Sequence, residues 1–124
     1  MLVYSQSTGI MSRDGQPIAK GWAGHGAAKN DPNAQDQVGV GPLPRGLYTL
    51  DPWEAVHGEL GPMVTHLTPD PGDDEEGRSG FYIHGPASAA SGKQGQESKG
   101  CIVLWHNDRQ AVKDSGETRL QVVA

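Results

Sequence analysis

The chain has one cysteine, one phenylalanine and no long apolar run, and each shortage removes a class of protein. A lone thiol cannot form an internal disulfide, so Cys101 needs another reason to be present. The longest uncharged apolar run, Cys101 to Trp105, falls far short of the roughly 20 residues that span a bilayer. Lys and Arg number 10 against 15 Asp and Glu, giving a net charge of −5, and no segment gathers the cations that attract a phosphate backbone. Nucleic-acid binding is therefore not expected. The opening residues Met1-Leu2-Val3-Tyr4-Ser5 show neither a basic start nor an apolar stretch behind it, which predicts synthesis in the cytoplasm without a signal peptide.

What is abundant is turn chemistry: 18 Gly and 9 Pro in 124 residues, with only 35% apolar content. Three Trp, three Tyr and several apolar clusters argue against a solvated linker and for one folded domain over residues 1–124. Short extended segments dominate: residues 2–5, 9–12, 17–22, 47–50, 62–67, 81–84, 101–105 and 118–123. Asp14-Gly15 predicts a tight hairpin turn. One helix is predicted over 108–113, with Asn107 as its N-cap. The pattern points to a mainly β fold, a sandwich or barrel-like sheet with one short helix. The acidic run from Asp70 to Glu76 reads as a solvated loop; a calcium site is the alternative reading of its dense carboxylates.

Two residues stand out for chemistry. Cys101 follows Ser98-Lys99-Gly100 and opens the apolar run Ile102-Val103-Leu104, which presents the thiol at the mouth of a strand. His84 ends the run Phe81-Tyr82-Ile83, and sixteen residues separate it from Cys101. Holding a thiol ionised at pH 7 costs roughly 2 kcal/mol, and a neighbouring imidazole removes that cost by taking the proton. Gly100 permits backbone angles closed to other residues and can aim the amides of Gly100 and Cys101 at a developing oxyanion. A metal set of Cys101, His84 and His106 is the competing reading. His25, His57 and His66 lie in loop or strand contexts without evident partners and read as structural, and Trp22, Trp53 and Trp105 read as core or rim aromatics rather than a sugar platform.

These segments resemble L,D-transpeptidase catalytic domains, in which a His on one strand precedes, by a loop, a Ser/Thr-His-Gly-Cys segment. Here His84 and Ser98-Lys99-Gly100-Cys101 occupy those places. The resemblance is closer to the small branch of type VI secretion L,D-transpeptidase effectors and their phage or prophage relatives. That branch carries Gly-Pro-x-Pro-x-Gly-x-Tyr, found here from Gly41 to Tyr48, an Asn-x-Pro element (Asn30-Asp31-Pro32) and a Tyr-x-Ile-His-Gly run, approximated by Phe81-Tyr82-Ile83-His84-Gly85. Two departures stand out: Lys99 where the widespread enzymes have His, and Val103 where they often have Arg.

The resemblance implies acyl transfer on peptidoglycan tetrapeptide stems, with cleavage of the meso-diaminopimelate to D-Ala bond and transfer to water, a second stem or a free D-amino acid. It implies Cys101 as nucleophile and His84 as base, Gly85, Lys99 and Gly100 as orienting or oxyanion groups, and Ser98, Arg45, Tyr48 and Arg109 as substrate-binding positions. It calls for no cofactor and no metal. The Ala/Ser/Gly-rich loop between His84 and Ser98 is expected to gate the site. Implied partners are stem peptides and, for an effector, a delivery machine and a cognate immunity protein, with action in the periplasm or cell wall. A non-catalytic cell-wall-binding or phage structural module on the same fold is the alternative.

Overall fold

The computed structural model describes residues 1–73, 77–86 and 98–124. Nine strands run in chain order: β1 (Leu2–Ser5), β2 (Ile10–Arg13), β3 (Gln16–Ala23), β4 (Gly46–Leu50), β5 (Glu54–His57), β6 (Gly61–Pro69), β7 (Tyr82–His84), β8 (Ile102–Leu104) and β9 (Arg119–Val123). One α-helix, α1 (His106–Asp114), and two short 3-10 turns, Gly26–Ala28 and Pro32–Ala34, complete the described elements. The spatial order is β4-β9-β1-β2-β3-β8-β7-β6-β5, and β4 also pairs with β6. That extra pairing closes eight strands into a barrel and leaves β5 as a flap on β6. Closure satisfies strand edges that would otherwise stay open.

Local sequence explains each corner. Asp14 (φ 50°) and Gly15 (φ 81°) are both left-handed, as the tight β2–β3 hairpin requires. Leu2, Tyr4, Leu120, Val122, Ile83 and Leu104 alternate into the barrel core and are almost fully buried. Val112 of α1 joins that core, and the helix packs along β3.

Several expectations change. The helix begins at His106, two residues early, with Trp105 at the N-cap position and no side chain capping it. Asn107 is thus already inside the helix, and Asp108 instead accepts from the Lys20 amide at 3.0 Å, tying the first turn to β3. Strand β5 was not anticipated; its residues are mostly exposed, so they carry no apolar alternation to read. Of the acidic run, residues 74–76 lie outside the described residues; Asp73 accepts from the Leu47 amide at 2.7 Å, and Asp70 pairs with Arg119 at 2.6 Å.

Candidate active site

Strands β7 and β8 run parallel, with Ile83 opposite Ile102 and His84 opposite Val103. Ile83, Ile102 and Leu104 turn into the core, so alternation places Tyr82, His84 and Val103 on the outer face of the barrel. Cys101, one residue before Ile102, begins on that same face. It enters beside Tyr82, and its sulfur accepts from the Tyr82 amide at 3.3 Å. Cys101 is partly exposed. The parallel register therefore brings the thiol of one strand mouth alongside the strand that ends in His84.

His84 is 3% exposed, and its Nδ1 lies 2.8 Å from the Gly85 carbonyl. A carbonyl only accepts, so Nδ1 carries a proton, and Nε2 is the nitrogen that holds the lone pair whenever the ring is neutral. Burial pushes the Cys101 thiol up from its ordinary range. The Tyr82 amide, the residue's own amide and the Arg78 charge pull the other way without reversing it. The resting sulfur is a thiol, so a base must take its proton during attack.

The turn before Cys101 is held from behind. Ser98 is fully buried; its Oγ accepts from the Gly24 amide at 2.8 Å and the Gly100 amide at 3.2 Å, and donates to the Cys101 carbonyl at 2.7 Å. Gly100 has φ 129°, and a Cβ there would stand 2.5 Å from Arg78 Nη2 and 2.8 Å from the Phe81 ring. Only glycine fits that place. The Gly100 carbonyl accepts from the Leu43 amide at 2.9 Å, which fastens the Gly41–Tyr48 segment to the nucleophile turn.

The Tlde1 domain family matches residues 18–124. The chain belongs to that family. Tlde1 domains are type VI effectors of the L,D-transpeptidase type, which is consistent with an L,D-transpeptidase-like enzyme. No curated protein matches the chain.

Within this Tlde1 domain the other positions singled out from sequence fare differently. Gly85 sits beside His84 and supplies the carbonyl that orients the ring. Lys99 is exposed at the site, with its carbonyl held by Arg78 at 2.8 Å. Arg45 is exposed on the segment fastened to Gly100 and donates to Gln6 Oε1 at 3.1 Å. Tyr48 is 2% exposed and donates to the Pro44 carbonyl at 2.7 Å, so it holds its own turn rather than facing substrate. Ser98, expected to bind substrate, is enclosed and braces the turn instead.

Arg109 is also corrected. It is 4% exposed, and its guanidinium donates to the Met63, Leu104 and Pro62 carbonyls at 3.0, 2.7 and 3.4 Å. It packs directly against Gly85, so it braces the His84 anchor, with its donors spent on backbone carbonyls. The Gly100 amide, expected to face an oxyanion, is committed to Ser98. Among the described residues no three His, Cys, Asp or Glu side chains gather to hold a metal, and His106 is exposed at the start of α1. No helix among them is long and apolar enough to cross a membrane.

Three residues around Tyr82 and Gly100 had partners that the sequence did not reveal. His57 and His66, read as lacking partners, flank the Tyr82 ring at 5.2 and 4.9 Å. His66 also bonds Asp51 at 2.8 Å. Arg78 lies behind Gly100, and only its position among turn residues could have hinted at burial. The loop expected to gate the site, residues 87–97, lies outside the described residues. A shallow cavity of about 310 Å³ between β4 and the turn after α1, lined by Trp53, Lys113 and Thr118 among others, holds none of these groups.

Proposed function

We propose that this Tlde1 domain is a cysteine acyl-transfer enzyme acting on peptidoglycan tetrapeptide stems, cleaving the bond between the L-centre of meso-diaminopimelate and D-Ala. The observation that carries this reading is the shared outer face of Cys101 and His84 on two adjacent parallel strands, with the imidazole tautomer set by Gly85. Sγ of Cys101 attacks the diaminopimelate carbonyl carbon while Nε2 of His84 takes the thiol proton. The oxyanion then forms next to the Cys101 and Tyr82 amides, which already converge on the sulfur. Collapse breaks the C–N bond, and His84 returns the proton to the departing D-Ala amine. The thioester passes to water, to the amine of a second stem or to a free D-amino acid, regenerating the thiol.

Delivery into the periplasm of a neighbouring cell, with a cognate immunity protein in the producer, follows from the effector family as part of the same proposal. Cys101→Ala should abolish D-Ala release from tetrapeptide muropeptides with an unchanged circular dichroism spectrum. Binding of muropeptide by the native chain with no turnover would replace the enzyme with a wall-binding module.

A further inference from the structure

Arg78 is 5% exposed, yet no carboxylate among the described residues hydrogen-bonds to it. Its Nη1 donates to the Gln35 and Pro42 carbonyls, both at 2.8 Å, and its Nη2 to the Gly41 and Lys99 carbonyls at 2.9 and 2.8 Å. Phe81 lies against the guanidinium at 5.2 Å. Four carbonyl dipoles satisfy the hydrogen-bonding capacity but leave the positive charge in place. Burying a cation costs several kcal/mol unless an anion answers it. Tyr48, Cys101 and Asp36 lie where a negative charge supports it, and the sulfur, once ionised, is the one at the candidate nucleophile: Arg78 Nη2 lies against the open side of Gly100, and Cys101 is the next residue.

We propose that Arg78 is a positioning residue for the acyl transfer, locking the Lys99-Gly100-Cys101 turn against Gly41-Pro42 and holding a buried positive charge behind the nucleophile. This rests on the proposed reaction for its catalytic meaning, but its effect on the thiol does not. The guanidinium is sealed from substrate by the turn it holds, so it acts through Cys101. Other titratable or charged groups nearby are Tyr82, whose amide meets the sulfur, and His84 on β7, with His66 of β6 and His57 of β5 against the Tyr82 ring. Lys99 stands on the turn, His25 is bonded to the Ser98 carbonyl at 2.7 Å, and Tyr48 and Asp36 act on Arg78.

The test is the pH profile of Cys101 alkylation by iodoacetamide, compared in the native chain, Arg78→Lys and Arg78→Gln, each also carrying His84→Gln to remove the base. The charge-removing Arg78→Gln should lower the alkylation rate at neutral pH about three- to tenfold by moving the profile alkaline, while Arg78→Lys should restore most of it. A purely structural role predicts equal stability losses in both and one shared midpoint, which would overturn the proposal. If Arg78→Gln does not fold, the guanidinium nitrogen resonances of the unmutated chain decide: they should shift as Cys101 titrates, and their invariance would overturn the proposal. On muropeptide, Arg78→Gln should lower kcat with little change in KM. Alkylation that responds to Arg78 in a chain with no muropeptide turnover would remove the reaction and keep the electrostatic coupling.

Discussion

Two buried guanidiniums stand behind the two candidate catalytic residues, and they differ in what they face. Arg109 backs Gly85, the anchor of His84, and spends its donors on carbonyls of residues 62, 63 and 104. Arg78 backs Gly100, the neighbour of Cys101, and spends its donors on turn carbonyls. Burial depresses the pKa of both. Arg78 alone of the two has its charge supported by nearby groups, Tyr48, Cys101 and Asp36. Equal burial and similar bonding thus give one brace that fixes geometry and another that also sets a field at the nucleophile. Residue type and exposure alone do not tell the two apart; the neighbour one residue beyond the contact does.

The comparison breaks most visibly at Arg109. Arg109→Met leaves three carbonyls without their donor, and at about 1–3 kcal/mol for each unsatisfied buried group the loss should reach roughly 3 kcal/mol or more. Urea denaturation measures it. The alkylation midpoint of Cys101 should stay where it is in the folded fraction; a shift comparable to that of Arg78→Gln would erase the distinction between the two braces.

Gly100→Ala probes the other brace from the substrate side. A methyl group at φ 129° that also collides with Arg78 and Phe81 should cost on the order of 2 kcal/mol and push the guanidinium away from the turn. Thermal melting gives the stability change, and slower alkylation per folded molecule gives the displacement. Full reactivity at reduced stability would show that the Arg78 contact is dispensable for the thiol.

The smallest effect is alkaline. Burial raises the folded-state pKa of Cys101, so the folded state holds its proton more tightly than the unfolded state. That contribution is fully present below the ordinary thiol value of about 8.5 and is lost as pH rises through the folded value. Tyr4, also raised by burial, acts the same way from about 10 upward. Cys101→Ala should remove the first part of the alkaline decline in unfolding free energy and leave the second; an identical decline in both proteins would contradict the desolvated thiol.

Much of the fold was legible along the chain. Alternating apolar residues marked β1, β4 and β9, and Asp14-Gly15 marked its hairpin, because these depend on local backbone preference and on one buried face. Exposed β5 gave no such signal. The helix start was misplaced because Trp105 begins it through backbone conformation, without a capping side chain. At the candidate site, the strand-mouth placement of Cys101 and the strand-end placement of His84 were legible from the apolar runs beside them. The enclosure of Ser98, Tyr48 and Arg109 was not legible, because burial is not written in residue type.

The sequence by itself determined the mainly β character, the single thiol and the imidazole at the end of an apolar run, since alternation, composition and turn chemistry are properties of short segments. Tertiary structure alone decided that the sheet closes through β4 and β6, that β7 and β8 run parallel with both groups facing outward, and that Arg78 comes from a distant turn to stand behind Gly100. Those outcomes depend on contacts between segments far apart in the chain, where packing and desolvation, rather than local preference, select the arrangement.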